Sequence, residues 1–254
     1  MDRDRPLGVF DSGVGGLSIL RALRTELPRE DFVYFSDAGH APYGEKAEAF
    51  VSERSLAIAM DLLERHRIKG LVVACNTATA AAVHLLRAQH THLPVVGVEP
   101  AVKPAAAMTK TGHVAVLATR GTITSAKFQA LLASLKAQAE FVLVPCGGLA
   151  AAIEADDTDQ IRALCERYTR ELARHRVDTL VLGCTHYPFA ADIFRELLGP
   201  DVQLVETGEP VARQTRRLLE QQGLLNPAGK GDVHWQTTGS TQALRAAASR
   251  WLGL

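Results

Sequence analysis

Short apolar runs of strand length recur along the whole chain. Most of them are nearly continuous, which is the pattern of strands buried on both faces of a parallel sheet. The runs lie at residues 7–10, 32–35, 71–74, 95–98, 114–117, 141–144, 180–182 and 202–205. Another short run predicts one more strand near the end of the chain, at 232–236.

Helical patterns separate these strands. Apolar side chains recur three and four positions apart, which places them on one face of a helix. This spacing predicts helices over 47–66, 128–135, 161–172, 209–222 and 242–252, and another helix begins near Leu17. The alternation of strand and helix predicts an α/β fold of mainly parallel sheets flanked by helices.

Two parts of the chain share one period. An offset of 109 residues relates the strand at 32–35 to that at 141–144, Cys75 to Cys184, and Glu45 to Glu154. We therefore expect two pseudo-symmetric lobes with the active site in the cleft between them. The first lobe comprises 1–98 plus the returning segment 208–254, and the second comprises 99–207.

The composition is that of an ordinary globular protein. The 254 residues are 47% hydrophobic, and 28 Lys and Arg balance 28 Asp and Glu. A zero net charge argues against a nucleic-acid partner, and no run reaches the ~18 uninterrupted apolar residues of a membrane span. The N-terminus also lacks a signal-peptide pattern. We expect a cytoplasmic protein without a nucleic-acid or membrane partner.

Polar residues follow the strands at the edge where open α/β sheets bind ligands. Asp11 and Ser12 begin a glycine-rich turn that leads into a helix, so its N–H groups are suited to receive an anion. After the second strand, Asp37, Tyr43 and Gly44 lie in a loop that could contact a small polar ligand. Taken alone, both segments are also typical of a simple reversal of the chain.

The four cysteines differ in position. Cys75 and Cys184 each follow the third strand of a lobe and stand beside polar residues. Cys165 lies on the apolar stripe of its helix, and Cys146 has no matching thiol in the other lobe, so both are predicted to be structural. His186 could assist the Cys184 thiol. A metal site is disfavoured, because the closely spaced ligand pairs of structural zinc sites do not occur in the sequence.

Two thiols on opposite sides of a small molecule would have the geometry for inversion at a carbon. One thiolate removes a proton from one face, and the opposite thiol protonates the other face, as amino-acid racemisation requires. Asp11 and His186 are candidates to balance charge or carry protons beside the two thiols. Donors must also stabilise the charge that develops at the substrate carboxylate, and the candidates are Ser12, Asn76, Thr77, Thr185 and backbone N–H groups.

Four motifs together resemble those of the bacterial glutamate racemases and keep their order and spacing over most of the chain. They are FDSGVGG at 10–16, APYG at 41–44, ACNTA at 74–78 and LGCTHYP at 182–188. The resemblance implies an isomerase that needs no cofactor and no metal. It implies interconversion of L- and D-glutamate, with D-glutamate used for peptidoglycan synthesis and hence for the cell wall and cell shape. It also implies a homodimer.

The same resemblance implies roles for individual residues. Cys75 would act on the α-proton of D-glutamate, and Cys184 on that of L-glutamate. The substrate contacts of the family correspond here to Asp11, Ser12, Tyr43, Gly44, Asn76, Thr77, Thr185 and His186. Two segments depart from the usual family pattern, at 39–41 and 145–147, and neither includes one of these two thiols.

Alternatives follow from the same residues. The chemistry could act on another substrate, such as aspartate or a hydantoin. A two-lobed protein that senses a small acidic metabolite would keep the anion-binding turns but would not need two matched thiols. A thiol-based redox sensor would join Cys75 and Cys184 in a disulfide under mild oxidation.

Overall fold

The structure is a computed structural model that describes residues 2–172 and 174–254. It divides into two compact units, one comprising Met1–Val98 and Gly208–Leu254 and the other comprising Glu99–Thr207. We refer to them as the first unit and the second unit. Their strands are β1 Leu7–Asp11, β2 Phe32–Ser36, β3 Gly70–Val73, β4 Val95–Gly97, β5 His113–Ala118, β6 Glu140–Pro145, β7 Thr179–Leu182, β8 Gln203–Val205 and β9 Val233–Thr237.

Helices alternate with these strands. They are α1 Leu17–Glu26, α2 Glu48–His66, α3 Asn76–Gln89, α4 Val102–Met108, α5 Arg120–Thr124, α6 Ala126–Leu135, α7 Leu149–Glu154, α8 Thr158–Leu172, α9 Ala191–Leu198, α10 Gly208–Gln221 and α11 Thr241–Leu252. Short 3₁₀ helices occupy Asp2–Asp4, Ala38–His40, Tyr43–Glu45 and Tyr187–Ala190. Within the described residues, no helix combines the length and the apolar character that crossing a membrane requires.

Each unit is built on one parallel sheet. The strand order is β4-β3-β1-β2-β9 in the first unit and β6-β5-β7-β8 in the second. The order β4-β3-β1-β2 therefore matches β8-β7-β5-β6, with β9 added as a fifth strand. The predicted α/β class is confirmed, and each predicted strand is present with its ends displaced by at most one residue.

The backbone pairing brings the carboxyl ends of neighbouring strands to one level. In the first unit, the Ala74 N–H donates to the Phe10 carbonyl at 2.7 Å, and the Asp37 N–H donates to the Asp11 carbonyl at 2.9 Å. The residues that follow β1, β2 and β3 consequently emerge at the same edge of the sheet. This is the edge at which parallel sheets hold their ligands.

Gly183 permits the corresponding alignment in the second unit. Its N–H donates to the Leu117 carbonyl at 2.7 Å. A Cβ at this position would lie 2.8 Å from that carbonyl oxygen and 3.1 Å from the Ala118 Cβ. Only glycine lets the backbone pass this close to β5, and Cys184 follows immediately.

A buried ion pair joins distant parts of the first unit. The Lys69 Nζ lies 2.5 Å from the Glu30 Oε2, and the two side chains are 1% and 2% exposed. Lys69 also donates to the Arg3 carbonyl at 2.5 Å, and the other Glu30 oxygen accepts the Asn226 N–H at 2.8 Å. The pair therefore ties the N-terminal turn and the segment that precedes β9 to the base of the sheet.

Replacing Lys69 by Met should destabilise the protein by about 3–5 kcal/mol, because the Glu30 carboxylate is left buried without its cation. Urea unfolding followed by circular dichroism measures the change. The exposed Lys230→Met control should alter the unfolding free energy by less than about 0.5 kcal/mol. The double variant Glu30→Gln/Lys69→Met should regain much of the loss, and an equal loss in both variants would contradict a charge effect.

Candidate active site

Cys75 lies at the N-terminus of a long helix in the first unit. It is the N-cap residue of α3, and its sulfur accepts the Ala78 N–H at 3.5 Å. The side chain is buried, and its sulfur lies 3.6 Å from the Ser12 hydroxyl oxygen. Because the N-terminus of a helix stabilises negative charge, this position favours the thiolate form of Cys75.

The glycine-rich turn after β1 is held in a fixed shape beside Cys75. The Asp11 carboxylate is fully buried and accepts the Gly13 N–H at 2.9 Å. The Tyr34 hydroxyl donates to the Gly13 carbonyl at 2.8 Å. A Cβ on Gly16 would lie 2.5 Å from the Asp11 Cβ and 2.8 Å from the Tyr34 hydroxyl, so the turn needs glycine there for close approach.

Asp37 is the centre of a hydrogen-bonded cluster after β2. Arg54 donates to both carboxylate oxygens, at 2.7 and 3.0 Å, and the Tyr43 hydroxyl donates at 2.5 Å. The Thr238 hydroxyl donates at 2.8 Å, and the His40 ring nitrogen lies 3.0 Å from the carboxylate. The cluster thus fixes the loop that leads to Tyr43 and Gly44, and it attaches this loop to α2 and to the segment after β9.

Burial and hydrogen bonding act in opposite directions on Asp37. Burial raises the pKa of the Asp37 carboxyl, but the hydrogen bonds from Arg54, Tyr43 and Thr238 outweigh it and hold the pKa below its ordinary value. Burial and the bond to Asp37 raise the pKa of Tyr43. The Tyr43 proton is therefore committed to Asp37, and the neighbouring Gly44 N–H, on a partly exposed residue, is the better donor for a ligand.

Asn76 has one unused polar atom. The residue is 4% exposed, and its side-chain amide donates to the Val98 carbonyl at 3.1 Å. Its Oδ1 atom is buried and has no hydrogen-bond partner among residues 2–172 and 174–254. A buried acceptor in this condition costs free energy unless a donor reaches it, and the substrate of an adjacent site could supply that donor.

Cys184 has a different environment in the second unit. It is followed by a short 3₁₀ helix, Tyr187–Ala190, instead of a long α-helix. Its sulfur lies 3.7 Å from the Nδ1 atom of His186, and the His186 Nε2 atom lies 2.6 Å from the Glu154 Oε1. Thiol, imidazole and carboxylate thus form a continuous chain of contacts, in which Glu154 is the last residue of α7.

The surroundings of His186 favour the protonated form of its imidazole. Burial lowers the pKa of the imidazole, but the contacts with Cys184 and Glu154 outweigh it and raise the pKa well above its ordinary value. A protonated imidazole places a positive charge next to the Cys184 sulfur. Thr185, which is 2% exposed, lies between them in the sequence.

The other two cysteines lie in the core, as predicted. Cys146 and Cys165 belong to an apolar cluster of the second unit, which also includes Cys184. Burial raises the pKa of Cys165 to about 12 and also raises that of Cys146. Both thiols therefore stay protonated at neutral pH. All four cysteines lie in the described part of the chain, and none of them forms a disulfide bond there.

Two polar residues of the candidate site, Arg54 and Glu154, were not predicted as site residues. Arg54, which pairs with Asp37, is one of many charged residues on an amphipathic helix, and nothing in the sequence distinguishes it. Glu154 carried a signal, since the 109-residue offset superposes it on Glu45. The structure places the Ser12 hydroxyl beside the Cys75 sulfur and the His186 ring beside the Cys184 sulfur. No group of three or more His, Cys, Asp or Glu in the described part of the chain is arranged to hold a metal ion.

Comparison with known proteins identifies related chains. The family model described as Asp/Glu/Hydantoin racemase matches residues 17–215. A glutamate racemase from Pseudomonas syringae pv. tomato is 50% identical over 237 residues, which is 92% of this chain and 86% of the relative. The family model and this relative both extend over most of the chain.

Solved structures give the same result. Glutamate racemase isoform RacE1 from Bacillus anthracis superposes with a TM-score of 0.89 at 32% identity, over 99% of this chain and 95% of that one. Escherichia coli glutamate racemase, crystallised with L-glutamate and the activator UDP-MurNAc-ala, superposes with a TM-score of 0.87 at 36% identity. That alignment covers 97% of this chain and 95% of the other.

Replacing Arg54 by Gln should destabilise the first unit at pH 7 by about 2 kcal/mol, less than for a fully buried pair because Arg54 is partly exposed. The folded-state pKa of Asp37 is lowered, so its stabilisation is present above the unfolded-state pKa and is lost as the pH falls through the folded-state value. The difference in unfolding free energy between variant and parent should therefore become smaller at acidic pH.

Urea unfolding at pH 7 and at about pH 3 tests this expectation, since the unfolded-state pKa of Asp is about 3.9. Arg65→Gln, on the same helix but 72% exposed, is the matched control and should have little effect at either pH. A loss for Arg54→Gln that is equal at both pH values would show that Asp37 ionisation is not involved.

Replacing Glu154 by Gln should lower the pKa of His186, because the imidazolium loses an adjacent negative charge. An NMR titration of the histidine ring protons measures it, with the His186 signal assigned from its absence in His186→Asn. The exposed Glu171→Gln serves as the control and should leave that pKa unchanged. An unchanged pKa in Glu154→Gln would rule out this electrostatic role.

Proposed function

Because the chain belongs to the Asp/Glu/hydantoin racemase family, we propose that it is a glutamate racemase, an isomerase that interconverts L- and D-glutamate. One observation carries the chemical part of this proposal. Cys75 and Cys184 follow the equivalent strands, β3 and β7, of two sheets with the same strand order. Each sulfur also has its own electropositive neighbour, which is the N-terminus of α3 for Cys75 and the His186 ring for Cys184.

We propose that the two thiols act on opposite faces of one α-carbon. With D-glutamate bound, the Cys75 thiolate takes the α-proton, and the electron pair is left on a carbanion next to the carboxylate. The Cys184 thiol then donates its proton to the other face and becomes a thiolate, which yields L-glutamate. The reverse reaction begins from the Cys184 thiolate, so each enantiomer reacts with the opposite protonation state of the pair.

The two thiolates are stabilised by different groups in this mechanism. The N-terminus of α3 and the Ala78 N–H support Cys75 with a fixed dipole. The imidazolium of His186, held by Glu154, supports Cys184 with a full charge that titrates. We assign Asp11, beside the Cys75 site, the role of balancing charge while the proton is in transit.

The remaining site residues are proposed to hold the substrate. The buried Asn76 Oδ1, which lacks a donor in the described part of the chain, would accept a hydrogen bond from the substrate ammonium group. Hydroxyl and backbone donors would bind the carboxylates and stabilise the charge that develops on deprotonation. These donors are the hydroxyl groups of Ser12, Thr77 and Thr185, the Gly44 N–H beside Tyr43, and the backbone N–H of His186.

The biological role follows from the resemblance to the bacterial enzymes. We propose that the protein supplies D-glutamate for peptidoglycan, and therefore supports the cell wall and cell shape. A cytoplasmic location and a homodimeric state stay predictions. Growth of a D-glutamate auxotroph that carries the gene tests the role, and mass measurement in solution tests the dimer.

Racemisation should be lost in Cys75→Ala and in Cys184→Ala, by about 10²-fold or more, because each removes one of the two proton-transfer groups. Racemisation is followed as the loss of the circular dichroism signal of each glutamate enantiomer. The far-ultraviolet spectrum of the variant protein checks its fold. Cys165→Ala is the matched control and should retain activity. Full turnover by either single variant would exclude the two-thiol mechanism.

In D₂O, the product enantiomer should carry deuterium at Cα while the recovered substrate keeps protium at low conversion. The donating thiol exchanges its proton with solvent, whereas the substrate has not yet been deprotonated. Proton NMR of the separated enantiomers measures this.

Assays with a panel of chiral compounds that includes aspartate and hydantoins test which substrate the protein uses. Binding of glutamate without turnover would instead favour the alternative of a metabolite sensor.

A further inference from the structure

The aromatic ring of Phe50 lies beside the loop that carries Gly44. Phe50 is the third residue of α2, and its side chain is partly buried. It packs against an apolar cluster of the first unit that includes Phe10 and Tyr43. The core of the unit therefore fixes the ring in place, and the proposed reaction does not use Phe50 directly.

Both ends of the segment 40–46 contact this one ring. The centroid of the His40 ring lies 6.2 Å from that of Phe50, at an interplanar angle of 44°, which is within the range of aromatic pairs. The Lys46 Nζ atom lies 5.9 Å from the centroid of the Phe50 ring, which is the distance of a cation–π contact. Gly44 lies between these two contacts in the chain, so the ring holds the segment on both sides of it.

The Asp37 cluster holds the middle of the same segment. The Tyr43 hydroxyl donates to Asp37 at 2.5 Å, and Arg54 donates to the same carboxylate at 2.7 Å. The Lys46 N–H donates to the Tyr43 carbonyl at 3.1 Å and closes the turn between these two residues. Phe50 and Arg54 are four positions apart, which places them on one face of α2. One helix face thus holds the segment at its middle and at both ends.

Each contact at Phe50 is weak by itself. The His40 side chain is 38% exposed and Lys46 is exposed, and cation–π contacts at exposed sites contribute less than desolvated ones. Their main effect is therefore on the order of the segment. A segment held at three points has few alternative conformations, whereas a segment held only at its middle must be ordered when a ligand binds.

We propose that Phe50 is a positioning residue for substrate binding. By holding His40 and Lys46, it keeps the Gly44 N–H in the place where that group binds a carboxylate of glutamate. This inference rests on the proposed function, in which the Gly44 N–H is one of the substrate donors. The reacting thiols are set by other elements, at the ends of β3 and β7, so loss of the ring should weaken substrate binding and leave proton transfer unchanged.

Amide hydrogen exchange, followed by mass spectrometry, measures the order of the segment without reference to activity. Phe50→Leu removes the aromatic ring but keeps an apolar side chain for the core. Peptides that cover 38–46 should exchange faster in this variant than in the parent, and Phe50→Tyr, which keeps the ring, should exchange as the parent does. Equal exchange in Phe50→Leu and the parent would overturn the proposed role.

Leu63→Ala is the matched control. Leu63 packs against the same cluster near the other end of α2, so its truncation lowers the stability of the unit without removing a contact to His40 or Lys46. Exchange over 38–46 and the KM for glutamate should both stay at the parental values. An effect of Leu63→Ala equal to that of Phe50→Leu would show that general loss of packing is the cause.

Steady-state kinetics test the link to the substrate. Phe50→Leu should raise the KM for both glutamate enantiomers by about fivefold, the equivalent of one aromatic contact. It should leave kcat within about twofold, as expected when an interaction serves the bound substrate and the transition state equally. Phe50→Tyr should have the parental KM. A fall in kcat at unchanged KM would contradict a positioning role.

Lys46 tests one end of the segment by itself. Lys46→Met should raise KM by about twofold, and Lys46→Arg, which keeps a cation beside the ring, should not. In the Phe50→Leu background, Lys46→Met should have no further effect, because its partner is already absent. Additive effects of the two substitutions would show that Lys46 acts without Phe50.

The proposed function and this inference can fail separately. If the parent protein neither racemises nor binds glutamate, the proposed function fails, and the role of Phe50 in substrate binding fails with it. If the parent racemises glutamate and Phe50→Leu exchanges faster but keeps the parental KM, the proposed function stands and only the role of Phe50 is overturned.

Discussion

In the first unit, the hydrogen bonds from Ala74 to Phe10 and from Asp37 to Asp11 keep three parallel strands level at their carboxyl ends. The part of the candidate site that lies in the first unit depends on this alignment. It sets the start of α3 at Cys75, brings Ser12 to the sulfur, and places the Asp37 cluster at the same edge of the sheet. A slip of one residue along β3 would turn the thiol to the other face of the sheet.

The strands were predictable because burial on both faces leaves an almost uninterrupted apolar run, and the helices were predictable where they are amphipathic. Helix α3 was not predicted. Its buried face consists of Asn, Thr, Ala and Val from Asn76 to Leu86, and small residues of mixed polarity do not produce a clear 3.6-residue period. The small and polar residues of the motif at 74–78 therefore hide the apolar period by which helix α3 could have been predicted.

The site residues divide in the same way. Thiols at strand ends are visible in a sequence because strand ends can be located and cysteine is rare. Partners that reach the site from another element are not visible, since Arg54 is 17 positions from Asp37 and Glu154 is 32 positions from His186. The neutral overall charge also gave no indication of these groups, because the carboxylates of Asp37, Glu30 and Glu154 are balanced locally by Arg54, Lys69 and His186.

The unequal support of the two thiols has a thermodynamic consequence. A helix dipole does not titrate, whereas the His186–Glu154 pair does, so acid and base act mainly on the Cys184 side. The two enantiomers of glutamate have equal free energy, and the equilibrium constant between them is therefore fixed at every pH. In the proposed reaction, a gain in kcat for one direction relative to the other must be matched by a proportionate change in the ratio of the two KM values. Protonation of His186 can change kcat and KM differently for the two enantiomers, but it leaves the two values of kcat/KM equal.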